Sequence, residues 1–290
     1  MPTVASKDGT AIAFDRSGSG PPLILVAGAL SDRSAGAPGL IPLLQPKFTV
    51  FTYDRRGRGA SGDTAPYAVA REVEDLDAIV TAAGGSACVY GVSSGAALAL
   101  EAAASGVSIA KLALFEPPYR VDDSVPRPPA DLSQKVGELV SAGRRGDAVE
   151  YFLTKAVGLP SEAVAQMRTA PMWPGLEAFA PTLVYDFAVM GDGSIPIRRV
   201  ASVTTPTLMI ASETSPSWLQ TAVRVVAESL PKARVRFLPG QFHNVPPQTL
   251  APVLQEFFTG GDVARPAASS RHEEYRGRES RSTRDNSPGT

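Results

Sequence analysis

Short apolar runs alternate with segments of helical periodicity along most of the chain. A continuous apolar run without polar alternation is typical of a strand that is covered on both faces. Because helical segments separate these runs, the sequence predicts an α/β fold with a mostly parallel central sheet and helices on both faces. The predicted strands are residues 23–26, 48–53, 87–90, 112–115, 207–210 and 234–238, and predicted helices include 69–80, 96–104, 219–230 and 250–258.

The strand pattern is interrupted in the middle of the chain and stops before its C-terminus. Residues 121–199 contain helical stretches punctuated by proline and glycine but no convincing strand, which predicts an inserted helical cap. The α/β core is therefore assigned to residues 1–120 and 200–260. Residues 261–290 are polar, mixed in charge and poor in apolar side chains, so we expect a disordered tail.

Composition and charge exclude several classes of protein. The 28 Lys and Arg residues nearly cancel the 29 Asp and Glu residues, so the net charge does not attract nucleic acid or an anionic membrane. The single cysteine, Cys88, excludes an internal disulfide framework and lies in an apolar run typical of a buried position. The early apolar runs are too short to span a bilayer, and the N-terminus lacks the pattern of a signal peptide. We therefore expect a cytoplasmic protein without nucleic-acid or membrane partners.

A glycine-rich turn carries the strongest signal for chemistry. The segment Gly91-Val92-Ser93-Ser94-Gly95 has G-x-S-x-G spacing and lies between an apolar strand and an Ala-rich helix. A serine at such a turn is held in a strained conformation that only small neighbours permit, and its hydroxyl points away from the sheet. We therefore predict Ser93 as a nucleophile, with the Ser94 N–H facing the developing oxyanion at the helix N-terminus.

A serine nucleophile needs a general base, and the sequence contains two histidines. His272 lies among charged residues of the predicted tail. His243 lies between the last predicted strand and the last predicted helix, and it follows Ser93 as the chain order of a Ser–acid–His triad requires. We therefore predict His243 as the base. The second oxyanion donor is assigned to the Ala29 N–H, because Gly28 lets the loop after the first predicted strand approach closely.

These motifs together resemble the α/β-hydrolase superfamily. The chain is similar to compact bacterial members with an Asp-Arg-Arg-Gly-x-Gly-x-Ser stretch, present here at residues 54–61. The resemblance covers residues 1–258 except the cap, and it implies that this stretch is a structural turn in which Asp54 has no catalytic role. Ala27 and Val92 stand where the family often has histidines, but neither change removes a required hydrogen-bond donor.

The resemblance leaves the acid of the triad open. The family usually carries an Asp-Pro pair after the strand predicted at 207–210, but this chain has Ser215 followed by Pro216. Two carboxylates are substitutes: Glu213 in the same loop, and Glu116 at the end of the preceding predicted strand. Some branches, including many haloalkane dehalogenases, take their acid from that preceding strand, which favours Glu116. Those dehalogenases use an Asp nucleophile, so only the position of the acid carries over.

The predicted residues favour hydrolysis of an ester or related acyl bond. Ser93 attacks the carbonyl, His243 accepts its proton and Glu116 orients the histidine. A cofactor-free cyclase, lyase or acyl transferase would use the same residues, whereas a non-catalytic binding protein would need none of them. No metal ion or cofactor is implied, and the substrate is expected to be a small, apolar molecule. The sequence predicts neither its identity nor an oligomeric state. Cap residues expected to line the pocket are Trp173, Met172, Tyr185 and Phe187.

Overall fold

An eight-stranded sheet runs through the centre of the computed structural model, which describes residues 1–34, 39–122 and 127–260. Its strands are β1 (Thr3–Ala5), β2 (Ala11–Ser17), β3 (Pro22–Val26), β4 (Thr49–Tyr53), β5 (Ala87–Val92), β6 (Ile109–Phe115), β7 (Thr207–Ser212) and β8 (Ala233–Leu238). The strand order is β1-β2-β4-β3-β5-β6-β7-β8. Strands β3 to β8 pair in parallel, and β1 and β2 extend one edge in antiparallel fashion. The predicted fold class is therefore confirmed, although β1 and β2 were not predicted.

Helices cover both faces of the sheet. They are α1 (Ile41–Leu44), α2 (Val69–Ala82), α3 (Ser94–Ala104), α4 (Leu132–Ser141), α5 (Arg145–Phe152), α6 (Ser161–Arg168), α7 (Trp173–Phe179), α8 (Leu183–Met190), α9 (Ile197–Ala201), α10 (Ser217–Ser229) and α11 (Pro247–Thr259). Helices α2, α3, α9 and α10 pack on one face, and α1 and α11 pack on the other. Along β5, Val89 belongs to the first apolar layer and Tyr90 to the second, which explains why the strand is apolar at consecutive positions. None of the helices in the described ranges is both long and apolar enough to cross a membrane.

The described chain between β6 and β7 is helical and forms a third apolar cluster. This helical insertion, α4 to α8, buries Val136, Val149 and Leu183 in a core of its own, against which Ala29 and Leu30 of the sheet domain also pack. A π-helical turn at Leu153–Val157 continues α5, and a 3₁₀ turn at Ala180–Thr182 leads into α8. The insertion falls within the segment predicted as a cap. The tail predicted after residue 260, which includes His272, lies outside the described residues.

The turn between β5 and α3 leaves no room for side chains beside Ser93. Ser93 has φ 56° and ψ −125°, a backbone conformation that residues other than glycine rarely adopt. A Cβ added to Gly91 would lie 2.6 Å from the carbonyl oxygen of Gly95. A Cβ added to Gly95 would lie 2.5 Å from the carbonyl oxygens of Val26 and Ala27. Both glycines are therefore required for the turn around Ser93 to pack against the end of β3.

We expect Gly95→Ala to lower the free energy of unfolding by about 1–3 kcal/mol, because the new methyl group meets backbone atoms that cannot move aside. Gly175→Ala is the matched control, since a Cβ at this helical position has no neighbour within 4 Å. That control should be neutral or stabilising by about 0.4–1 kcal/mol. Urea unfolding followed by circular dichroism measures both changes. Equal stability of the two variants would contradict the packing described at the turn.

Candidate active site

Ser93, Glu116 and His243 all follow strands of the parallel part of the sheet. Ser93 follows β5, Glu116 follows β6 and His243 lies in the loop after β8. Because the carboxyl ends of parallel strands open onto one crevice, these three loops meet there. The Ser93 N–H donates to Phe115 O (2.9 Å) and the Glu116 N–H donates to Ile210 O (3.1 Å). These backbone bonds extend the sheet pairing by one residue and hold both side chains at its edge.

Glu116 is the carboxylate that contacts the histidine. Its Oε2 lies 2.7 Å from His243 Nδ1, and its Oε1 accepts a hydrogen bond from the Ser212 N–H at 2.8 Å. The side chain of Glu116 is fully buried. Glu213, the alternative from the sequence, is exposed, and its N–H donates to Leu238 O. With both oxygens engaged, the Glu116 carboxylate has a fixed orientation toward the imidazole ring.

The loop around His243 is held by the residue that replaces the usual family acid. The His243 N–H donates to Ser215 Oγ at 3.2 Å, and His243 itself has φ 53°. Its ring packs against Phe115, with ring centroids 5.6 Å apart, and against Phe242 at 6.0 Å. Ser215 thus supports the backbone of the histidine rather than its ring.

Ser93 and His243 share the wall of a single cavity. Since Glu116 occupies Nδ1 of His243, the Nε2 atom remains for a partner on the cavity side. Within the described ranges, no hydrogen bond joins Ser93 Oγ to this ring. Catalytic hydrogen bonds of this kind often become short only in the substrate complex, so the geometry is compatible with a nucleophile and its base.

The loop after β3 approaches Ser93 at van der Waals distance. A Cβ added to Gly28 would lie 3.1 Å from the Ser93 Cβ and 3.0 Å from Val92 O, so glycine permits this approach. Ala29 and Ser94 line the same cavity as Ser93. No acceptor among the described residues takes a hydrogen bond from the Ala29 or Ser94 N–H. Both amides are therefore free to bind an oxygen of a substrate.

A buried ion network joins this site to the helical insertion. Asp186 on α8 accepts hydrogen bonds from Arg55 Nη1, Arg58 Nη2 and Ser94 Oγ, each at 2.7 Å. Arg58 Nη1 also donates to Gly28 O at 2.6 Å. All three charged side chains are almost completely buried. The network therefore connects the insertion to the residue after Ser93 and to the loop that carries Ala29.

The charges of this network compensate one another. Burial alone would raise the pKa of Asp186, but the charges of Arg58 and Arg55 and the Ser94 hydroxyl hold it below its usual value. Arg55 also forms two hydrogen bonds to Glu72, at 2.6 and 2.7 Å. Burial alone would lower the pKa of Arg55, but the charges of Glu72 and Asp186 raise this pKa well above its usual value. Asp186 is therefore ionised when the protein is folded at neutral pH.

Asp54 begins the turn that supplies both arginines. Its carboxylate accepts hydrogen bonds from the Ala60 N–H (2.8 Å) and the Arg33 N–H (2.9 Å), and it also pairs with the Arg33 guanidinium. A Cβ on Gly59, which has φ 53°, would collide with this carboxylate. These contacts give Asp54 the structural function that the resemblance implied for the turn at residues 54–61.

The cavity that contains Ser93 and His243 has a volume of about 670 Å³. Its wall is mostly apolar and comes from both the sheet domain and the helical insertion. A cavity of this size accommodates a small molecule. Among the described residues, no cluster of three or more His, Cys, Asp or Glu side chains could hold a metal ion. Large side chains on the wall include Phe152, Phe187, Met190, Leu219, Trp218 and Phe242.

A model of the alpha/beta hydrolase family matches residues 23–253 of the chain. The chain belongs to the alpha/beta hydrolase family. It is 58% identical to an alpha/beta hydrolase of Sphaerobacter thermophilus, whose crystal structure matches with a TM-score of 0.86 over 89% of this chain and 100% of that chain. The resemblance inferred from the motifs is therefore confirmed.

More distant solved structures share the fold of this alpha/beta hydrolase. A hydrolase of Pseudomonas aeruginosa is 23% identical, with a TM-score of 0.72 over 89% of this chain and 98% of that chain. An esterase of Rhodococcus is 18% identical, with a TM-score of 0.68 over the same shares of the two chains. No curated protein matches the sequence. Family membership supports hydrolytic enzyme activity in general.

The structure corrects three of the four pocket residues predicted for this alpha/beta hydrolase. Phe187 does lie on the cavity wall, but Trp173, Met172 and Tyr185 do not. Trp173 is buried inside the insertion, where its Nε1–H donates to Glu177 at 2.7 Å. Large apolar residues of a helix bundle pack first against one another, and sequence alone does not show which of them face the sheet.

Of the other two misassigned side chains, one lies on the surface of the insertion and one packs against the α/β core. Met172 is 56% exposed. Tyr185 stacks on Tyr67, with ring centroids 3.9 Å apart, and its hydroxyl donates to Asp63 at 2.7 Å. Trp218 and Phe242 were missed because they lie in the core rather than in the insertion, Trp218 in the first turn of α10 and Phe242 in the loop after β8. Their positions beside Pro216 and His243, close to the loops that form the crevice, were the available signal.

We expect Asp186→Asn to lower the free energy of unfolding at neutral pH by about 3–5 kcal/mol, because two buried arginines lose a charged partner. Because the pKa of Asp186 is lowered in the folded state, this residue stabilises the folded protein fully above the unfolded pKa of about 4. That stabilisation is lost as the pH falls through the lower pKa of the folded state. Urea unfolding between acidic and neutral pH should therefore show the two proteins converging at low pH. Asp77→Asn, at an exposed position of α2, should not change stability appreciably.

Proposed function

We propose that this chain is a serine hydrolase that cleaves an ester or related acyl bond through an acyl-enzyme. The observation that carries the proposal is the 2.7 Å contact between Glu116 and His243 Nδ1, which leaves Nε2 for the cavity that also contains Ser93. The strained conformation of Ser93, φ 56° and ψ −125°, supports a nucleophile at this turn. Membership of the alpha/beta hydrolase family supports hydrolysis in general.

In the proposed mechanism Ser93 Oγ attacks the carbonyl carbon while His243 Nε2 accepts the hydroxyl proton. Glu116 holds the imidazole in the required tautomer and stabilises the imidazolium that forms. The negative charge on the carbonyl oxygen is bound by the N–H groups of Ala29 and Ser94. His243 then donates the proton to the leaving group, and water attacks the acyl-enzyme with the same histidine as base.

The helical insertion acts as the cap of this proposed active site. The mostly apolar cavity between insertion and sheet fits a small molecule with an apolar segment next to the scissile bond. The Asp186 network fixes the insertion relative to Ser94, so the cavity wall and the oxyanion donors are positioned together. Enclosure by the insertion also limits the access of bulk water to the reacting carbonyl.

The nucleophile is tested by Ser93→Ala, which should abolish both turnover of 4-nitrophenyl esters and covalent labelling by a fluorophosphonate. Ser105→Ala, at the other end of α3, is the control and should retain both. Labelling of the wild-type protein without ester turnover would favour a cyclase, lyase or acyl transferase on the same residues. A wild-type protein that neither turns over esters nor becomes labelled would overturn the serine hydrolase.

The acid is tested by Glu116→Gln, which should lower kcat by roughly 10³- to 10⁴-fold, the usual loss when the orienting carboxylate of a triad is removed. The matched control is Glu213→Gln, whose exposed carboxylate should be dispensable. Steady-state kinetics and circular dichroism of both variants are the measurements. A large loss in the Glu213 variant together with an active Glu116 variant would reverse the assignment.

A further inference from the structure

A half-buried arginine lies on the wall of the active-site cavity, and the described part of the chain gives it no acidic partner. Arg120 follows β6, four residues after Glu116, and its guanidinium stacks on the Trp218 ring, 3.4 Å from the centroid. Its side-chain hydrogen bond is a long one, from Nη2 to Ala156 O at 3.5 Å. Within the described ranges, no carboxylate forms an ion pair with it. A partly buried cation is unfavourable unless an anion compensates it.

The carboxylates on the same wall are engaged elsewhere. Asp186 is compensated by Arg55 and Arg58. Asp192 accepts hydrogen bonds from Ser194, and these bonds, together with the charge of Arg127, lower its pKa. The pKa of Arg120 is lowered, first by burial and second by the charge of Arg127. Arg120 therefore lies in an environment that favours the arrival of a negative charge.

A second cavity adjoins the first beside Arg120. It has a volume of about 620 Å³ and shares Arg120, Arg127, Trp218 and Phe242 with the cavity of Ser93. Lys155, which is exposed, also lines it, and its described lining residues include no aspartate or glutamate. Positive charges on the wall of a cleft attract anionic ligands. Both cavities therefore give an anionic group access to Arg120.

We propose that Arg120 binds a carboxylate on the substrate, so that the enzyme acts on acyl compounds with an apolar segment next to the scissile bond and an anionic end. Trp218 occupies one face of the guanidinium, which leaves in-plane N–H groups for a bidentate carboxylate. This proposal rests on the proposed function. It also changes the small, apolar substrate expected from the sequence to one that is apolar only in part.

The test compares pairs of esters that differ in one charge. Mono-(4-nitrophenyl) adipate and 4-nitrophenyl hexanoate differ at the far end of the acyl chain, and 4-acetoxybenzoate and 4-methylphenyl acetate differ on the alcohol side. We expect the wild-type enzyme to prefer the charged member of at least one pair. Arg120→Gln should lower that preference in kcat/KM by about 10- to 100-fold, mainly through KM, since a hydrogen-bonded charge pair is lost. Turnover of the neutral ester should change little.

The neutral ester distinguishes a role of Arg120 in binding the substrate carboxylate from a role in holding Trp218 in place. If Arg120 only holds Trp218 in place, Arg120→Gln slows both members of a pair equally, and the proposal fails. Arg224→Gln is the matched control, because Arg224 also stacks on an aromatic ring, Phe237, at 4.2 Å, but lies outside both cavities. Arg120→Met, whose side chain still covers Trp218, replaces the Gln variant if the latter does not fold.

Binding of adipate, measured by calorimetry, tests the subsite without any reaction. Adipate should bind the wild-type protein and bind Arg120→Gln at least about tenfold more weakly, whereas the uncharged adipamide should not distinguish the two proteins. If no ester is turned over but adipate binding depends on Arg120, the serine hydrolase fails and the carboxylate site remains. Equal binding of adipate to both proteins, or no binding to either, overturns the carboxylate site whatever the ester kinetics show.

Discussion

Two arginines from the turn after β4 hold together three parts of the molecule that are far apart in sequence. Arg55 and Arg58 carry two positive charges, and Glu72 and Asp186 supply the two negative ones. Buried ion pairs of this kind contribute little net stability, because desolvation offsets their attraction, but loss of one member leaves a charge uncompensated. The network therefore acts on geometry: it fixes where α8 lies on the sheet and, through Gly28, where the loop after β3 lies.

Backbone strain is concentrated at the same edge of the sheet. Four described residues other than glycine have positive φ, namely Leu30, Ser93, Glu116 and His243. Each one lies in a loop that follows a parallel strand, and each costs on the order of 1–3 kcal/mol. Buried strands on both sides oppose relaxation of these residues. A rigid sheet thus keeps the proposed nucleophile, acid and base in conformations that a flexible loop would not retain.

Local signals in the sequence were sufficient for much of the fold. The apolar runs predicted β3 to β8, whereas β2 at the antiparallel edge and the three-residue β1 lack such runs and were not predicted. The G-x-S-x-G motif indicated Ser93 as a site residue, and chain order indicated His243. Glu116 was favoured because the usual aspartate is absent and because some family branches place their acid at this strand. Asp186 could not be predicted, since its partner Arg55 lies 131 residues away. The cavity wall was equally inaccessible, because helical periodicity does not show which neighbour a helix faces.

Because Glu116 at the end of β6 contacts His243, the loop after β7 does not have to supply a carboxylate to this histidine. The family resemblance implied that the usual acid would come from that loop. Here Ser215 only supports the His243 backbone, and Trp218 faces the cavity and covers Arg120. The proposed acid and the proposed carboxylate-binding arginine thus both follow β6, whereas the ring that covers the arginine follows β7. Substitutions around Trp218 can therefore change the proposed ligand preference while the contact between Glu116 and His243 stays intact, which makes the start of α10 a natural target for directed evolution.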